Sequence, residues 1–226
     1  MRFLPYGTYP VPYDAYTCAG HWKQQVADPL VPRMLLLLRR KTRPLGDADV
    51  IIKMARDAGF NLAVLTPERE PLATQVLMAR YADIIVGVHG MALGWVFMMD
   101  SERNPHCRRL LELRHFGRPF KNVHNVYEVF ASDNLLQYWS LSPRRVVFDP
   151  QYVPLAREAI RLLKRKSFPH GLEAFMHQTP FYEEKVVAAA FAQHFSELKQ
   201  CLQQRRPVAL SAEYAARSGY FSRSRA

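Results

Sequence analysis

The chain has 226 residues, of which 49% are hydrophobic and 12% aromatic, values of a folded protein and not of a disordered one. That length suits one domain, or one domain with an appendage. A formal net charge of +11 favours anionic partners: nucleic acid, acidic membranes or phosphate-bearing small molecules.

Three cysteines, Cys18, Cys107 and Cys201, show no C-x-x-C spacing, so neither a zinc site nor a thioredoxin-like centre is indicated. A single bridge remains open to them, and so does the redox compartment. No stretch reads as membrane-spanning. The run at 34–38 is short and flanked by arginines, and 84–99 is interrupted by a histidine and glycines. The first residues lack the continuous apolar core of a signal peptide, so any secretory signal is expected to lie outside this chain.

Residues 1–33 are rich in proline and tyrosine and read as an irregular lead-in with one short helix at 21–27. Regular alternation follows. "MLLLL" (34–38) is a continuous apolar run, the pattern of a strand buried on both faces. "DADVIIKMARDAG" (47–59) predicts an amphipathic helix with Val50, Ile51, Met54 and Ala58 inward and Gly59 as its stop. "FNLAVLT" (60–66) predicts a second strand. "PLATQVLMARYA" (71–82) predicts a second helix with Leu72, Val76, Leu77 and Met78 inward. "DIIVGV" (83–88) predicts a third strand and "GMALGWVFMM" (90–99) a third helix. "RLLEL" (109–113) and "LLQYWSL" (135–141) predict strands four and five. Beyond Asp149 the periodicity is helical, and the tail 217–226 reads as disordered. Strands alternating with helices at short intervals predict an α/β fold: a Rossmann-like parallel sheet with helices on both faces, followed by C-terminal helices.

In an open parallel sheet, ligands bind beyond the carboxyl ends of the strands. Arg39, Arg40, Lys41 and Arg43 follow strand one. His89 and Gly90 follow strand three, where a helix begins at once. Glu112 sits near the end of strand four. A helix N-terminus offers free N–H groups and positive dipole to an anion. Gly90 lets a phosphate approach the backbone closely, and a carboxylate can accept from ribose hydroxyls. Together these groups predict a nucleoside diphosphate site. The absence of G-x-G-x-x-G and of G-x-x-x-x-G-K-S/T disfavours a nicotinamide enzyme and a P-loop ATPase.

These residues resemble glycosyltransferase family 61, a family of pentosyl- and N-acetylglucosaminyltransferases. The similarity rests on Arg39 and Arg43 after a strand, Gln75 in the next helix, "VGVHG" ending in His89 and Gly90, and "LLEL" with Glu112. It spans roughly residues 28–145. Met91, where the family has alanine, Gly94 with Trp95, and the longer "SERNPHCRR" (101–109) depart from the pattern. The resemblance implies half of a two-domain GT-B architecture. Residues 1–33 would end the first half, 34–150 would form the nucleotide-sugar-binding domain, and 151–216 would be C-terminal helices. It also implies a membrane-anchored parent protein in the Golgi or endoplasmic reticulum lumen. The implied donor is a nucleotide sugar, most simply a UDP-sugar, used as substrate with no cofactor and no metal. The implied acceptor is a glycan or glycoprotein hydroxyl, attacked with inversion.

In that reading Arg39 and Arg43 neutralise the diphosphate, and the N–H groups at Gly90 and Met91 bind a phosphate oxygen. His89 bonds the diphosphate or sugar, Glu112 holds the ribose, and the loop at 66–68 faces the base. No catalytic base is assigned; Asp14 is the only N-terminal carboxylate to consider. Two other readings stand beside it. One is a truncated or degenerate homologue without transferase activity, motivated by the changed residues after His89 and Gly90. The other is a basic nucleic-acid-binding protein, motivated by charge, although no aromatic-interleaved basic strand supports it.

Overall fold

A computed structural model describes residues 30–99, 107–114, 126–133, 136–164 and 177–204. The expected lead-in helix at 21–27, Asp14 and the tail 217–226 lie outside the described residues. Within them the α/β reading holds. Five strands, β1 (Arg33–Leu37), β2 (Asn61–Leu65), β3 (Ile84–Val88), β4 (Arg109–Leu113) and β5 (Gln137–Leu141), form one parallel sheet in the order β2-β1-β3-β4-β5. β1 lies inside the sheet, and that is why its sequence does not alternate: Met34 through Leu38 are at most 1% exposed.

The side chains of β1 divide between two cores. Met34, Leu36 and Leu38 join one that includes helix α1 (Ala48–Asp57). Leu35 and Leu37 join the other, with helix α2 (Leu72–Tyr81), a 3₁₀ helix (Met91–Met98) and helix α3 (Val126–Asp133). Each fully buried leucine in such a core is worth roughly 1.5–3 kcal/mol of transfer free energy. The first core is completed by the last helix. After α4 (Val153–Lys164), α5 (Glu184–Gln203) buries Val187, Phe191, His194, Leu198 and Leu202 at helical spacing and packs on α1. Phe60, just before β2, meets Phe191 and Phe195 edge to face. Cys107, two residues before β4, is disulfide-bonded to Cys201 of α5. Among the described residues no helix is long and apolar enough to cross a membrane.

Several local expectations are corrected. The buried face of α1 is Ala48, Ile51, Ile52 and Ala55, with Val50 only half-buried. In α2, Leu72 and Leu77 are exposed, at 67% and 53%, while Gln75, Met78 and Ala79 are buried. The cause is polar. Gln75 Nε2 donates to the carbonyls of Pro67 and Glu70, at 2.9 and 2.8 Å, and this turns the helix so that its amide faces the preceding loop. The third helix is 3₁₀ and not α, beginning beside Gly90 at φ 150°. Helix α3 and a small antiparallel sheet of β6 (Arg145–Phe148) with β7 (Gln178–Phe181) were not foreseen. β7 is four residues long and contains Pro180, which weakens any strand signal.

Candidate functional site

In this strand order the chain leaves β1 towards β2 and leaves β3 towards β4, on opposite sides. A crevice opens beyond the carboxyl ends of strands at such a switch point. The loop after β1 brings Arg39 and Arg43 to it, and the end of β3 brings His89 and Gly90. Arg43 adopts φ 52°, a left-handed conformation that costs a residue with a Cβ roughly 1 kcal/mol. Its Nη1 donates to the His89 carbonyl at 2.7 Å.

Gly90 makes the convergence sterically feasible. A Cβ there would lie 2.5 Å from Arg39 Nη1 and 2.6 Å from Arg43 Nη1. The glycine backbone therefore shares its space with two guanidinium groups. Arg39 Nη1 is buried with no hydrogen-bond partner. Burial, and then the charge of Arg39, push the Arg43 pKa down to about 10. Two like charges thus crowd one glycine, an arrangement that an arriving anion relieves. Met91, next along, exposes 88% of its surface.

Behind the crevice, Glu112 on β4 pairs in register with Gly87 of β3 and is 0% exposed. One carboxylate oxygen is hydrogen-bonded to His89 Nδ1, and the other accepts from the Tyr138 hydroxyl. Arg114 donates to Tyr138 at 3.3 Å, and the Arg114 carbonyl accepts from Tyr182 at 2.5 Å. Tyr127 donates to the Gly90 carbonyl at 2.6 Å, and its ring stands edge to face on His89. The pKa values of Tyr127 and Tyr138 are both pushed up to about 12, mainly by burial, so both keep the protons they donate.

Glu112 is therefore committed to His89 and Tyr138 as a buried anchor, where the sequence reading expected a ribose contact. The sequence reading missed Tyr127 and Tyr138. Tyr138 had a faint signal, an aromatic at the same alternation as Glu112 once β4 and β5 pair Leu110 with Tyr138. Tyr127 had none, because its helix was not foreseen. In the loop at 66–68, Thr66 is buried and Glu68 exposed, and Gln75 holds the Pro67 carbonyl.

A second polar cluster lies at the opposite end of β4. Arg109 Nη1 meets His194 Nδ1 at 3.1 Å and Glu197 at 2.5 Å. Burial, and then Arg109, lower the His194 pKa from 6.5 to about 4. Hydrogen bonds from Gln193 and Arg109 lower that of Glu197. Both shifts act in one direction: the unfolded chain binds protons more readily than the folded one. Stability is complete above about pH 6.5 and is lost as pH falls towards about 4, with His194 contributing up to ~3 kcal/mol. Urea unfolding at neutral pH and near the lower limit measures this. His194→Gln should flatten the dependence.

Residues 5–104 match the family model described as Glycosyltransferase 61. The match takes in Arg39, Arg43, Gln75, His89, Gly90 and Met91 and ends before Glu112. No curated protein matches the chain. Among solved structures, it resembles an imine reductase from Myxococcus stipitatus in complex with NADP+, at 14% identity and TM-score 0.35, covering 74% of this chain and 60% of that one. It also resembles the V8 variant of that enzyme with NAD+, at 16% identity and TM-score 0.36, covering 76% and 64%. The chain spans less than two thirds of the length of either structure. Through residues 5–104, with the arginine pair and the His-Gly turn inside the match, the chain is similar to glycosyltransferase family 61.

Proposed function

We propose that the crevice between the ends of β1 and β3 binds the diphosphate of a nucleotide sugar, and that the chain is the donor-binding part of an inverting glycosyltransferase. The observation that carries this reading is the convergence of two guanidinium groups on Gly90, with the buried Nη1 of Arg39 lacking a hydrogen-bond partner. In the transfer, the acceptor oxygen bonds to the anomeric carbon as the bond from that carbon to the diphosphate breaks. Negative charge grows on the leaving group, and fixed cations in a partly dry crevice stabilise it. Arg39 and Arg43 supply that charge. N–H groups at Gly90 and Met91 add dipole. His89, held by Glu112, bonds the diphosphate or sugar. The acceptor proton passes to a base not assigned within this chain.

The donor is a UDP-sugar of the pentosyl or N-acetylglucosaminyl type, and the acceptor a glycan or glycoprotein hydroxyl. Residues 34–150 form the donor domain. A lumenal secretory compartment accords with the Cys107–Cys201 bridge, since such bonds persist in oxidising surroundings. Arg39→Ala is expected to weaken UDP binding by roughly 1.5–3 kcal/mol, the worth of a charged hydrogen bond. Calorimetry with UDP tests this, and unchanged affinity removes the assignment.

A further inference from the structure

The far end of β4 and β5 carries a second concave surface. Arg109, Gln137 and Trp139 of the strands, Glu197 and Gln200 of α5, and Gln204 just past its end line a groove of about 600 Å³. β5 is the terminal strand of the sheet, so the groove opens at its edge. Its two walls are joined without any ligand. Cys201 on the helical wall is bonded to Cys107 at the foot of β4, and Arg109 reaches across to His194 and Glu197. The groove is therefore held in shape before anything binds.

Its chemistry differs from that of the crevice. Arg109 is only 3% exposed and already paired with Glu197, so the lining is close to neutral in a chain of net charge +11. The Arg109 Nε is nevertheless buried with no hydrogen-bond partner. Three primary amides each offer donors and an acceptor, and Trp139 adds aromatic surface. A phosphate would meet Glu197 and find the arginine neutralised. A neutral polyol matches these groups, since its hydroxyls both give and take hydrogen bonds and a C–H face can rest on the Trp139 ring.

We propose that this groove is a binding site for a neutral oligosaccharide. The groove lies at the amino ends of β4 and β5, away from the donor crevice at the carboxyl ends of the strands, so the two sites are separate. The groove's assignment to the acceptor's own glycan rests on the transferase reading; its capacity to bind an oligosaccharide does not.

The test is titration of the whole oxidised chain with xylotriose, maltotriose and chitotriose, followed by saturation-transfer NMR. At least one trisaccharide should bind. Gln200→Ala with Gln204→Ala, both exposed, one in α5 and one just past its end, should weaken it about tenfold, with melting temperature and UDP affinity unchanged. The proposal is overturned if none of the three binds, or if binding survives both substitutions. Trisaccharide binding without UDP binding would leave the groove standing and remove the donor assignment.

Discussion

Replacing Cys107 and Cys201 together by alanine is expected to lower the free energy of unfolding by about 4 kcal/mol. The bridge spans 94 residues of sequence. In the unfolded chain it forbids a large set of open conformations, and that lost entropy grows with the logarithm of the loop closed. In the folded chain it ties α5 to the foot of β4, beside the Arg109–His194–Glu197 cluster. Cys107 is 3% exposed and packs in the larger core, so alanine there adds a small cavity cost. Urea unfolding of the oxidised protein, the reduced protein and the double variant checks the value. A loss below about 1 kcal/mol would show that the bridge constrains little. UDP affinity of the folded variant should persist, because the crevice lies at the other end of the strands.

Gly90→Ala is the sharpest test of the crevice. The new methyl group would sit 2.5 Å from Arg39 Nη1 and 2.6 Å from Arg43 Nη1, on a backbone at φ 150° that side chains rarely adopt. Both clashes are with the ends of long side chains, so the guanidinium groups swing away and the sheet stays folded. Two charged hydrogen bonds to a diphosphate are then lost, and UDP affinity should fall by a factor of about a hundred or more. Calorimetry paired with thermal unfolding separates this from a folding defect. An alanine variant that binds UDP as tightly as the parent would mean that the two arginines do not act through this glycine.

Strands β1, β2 and β3 were legible because a strand buried on both faces is predominantly apolar, and they are short runs of that kind. The alternation of strand and helix carried the fold class with them. Arg39, Arg43, His89 and Gly90 stood out because polar residues immediately after such runs fall on the carboxyl edge of the sheet. The rotation of α2 was not legible. Periodicity favoured Leu72 and Leu77, and two hydrogen bonds from Gln75 to loop carbonyls overrode it. The small sheet of β6 and β7 was equally hidden, since its two strands are four residues each and lie 29 residues apart between Phe148 and Gln178.

By itself, then, the sequence determined the local order of elements, the parallel sheet and the residues that end its strands, because hydrophobic period and turn chemistry act over a few residues. Only the tertiary structure decided which strand ends meet. The order β2-β1-β3-β4-β5 sets β1 beside β3, and that adjacency presses two arginines against one glycine. It sets β4 beside β3 and β5, so Glu112 is enclosed between His89 and Tyr138 and becomes an anchor. It also brings Cys201 to Cys107. These contacts join residues tens of positions apart. They depend on strand order and helix docking, which the local pattern of a sequence does not encode.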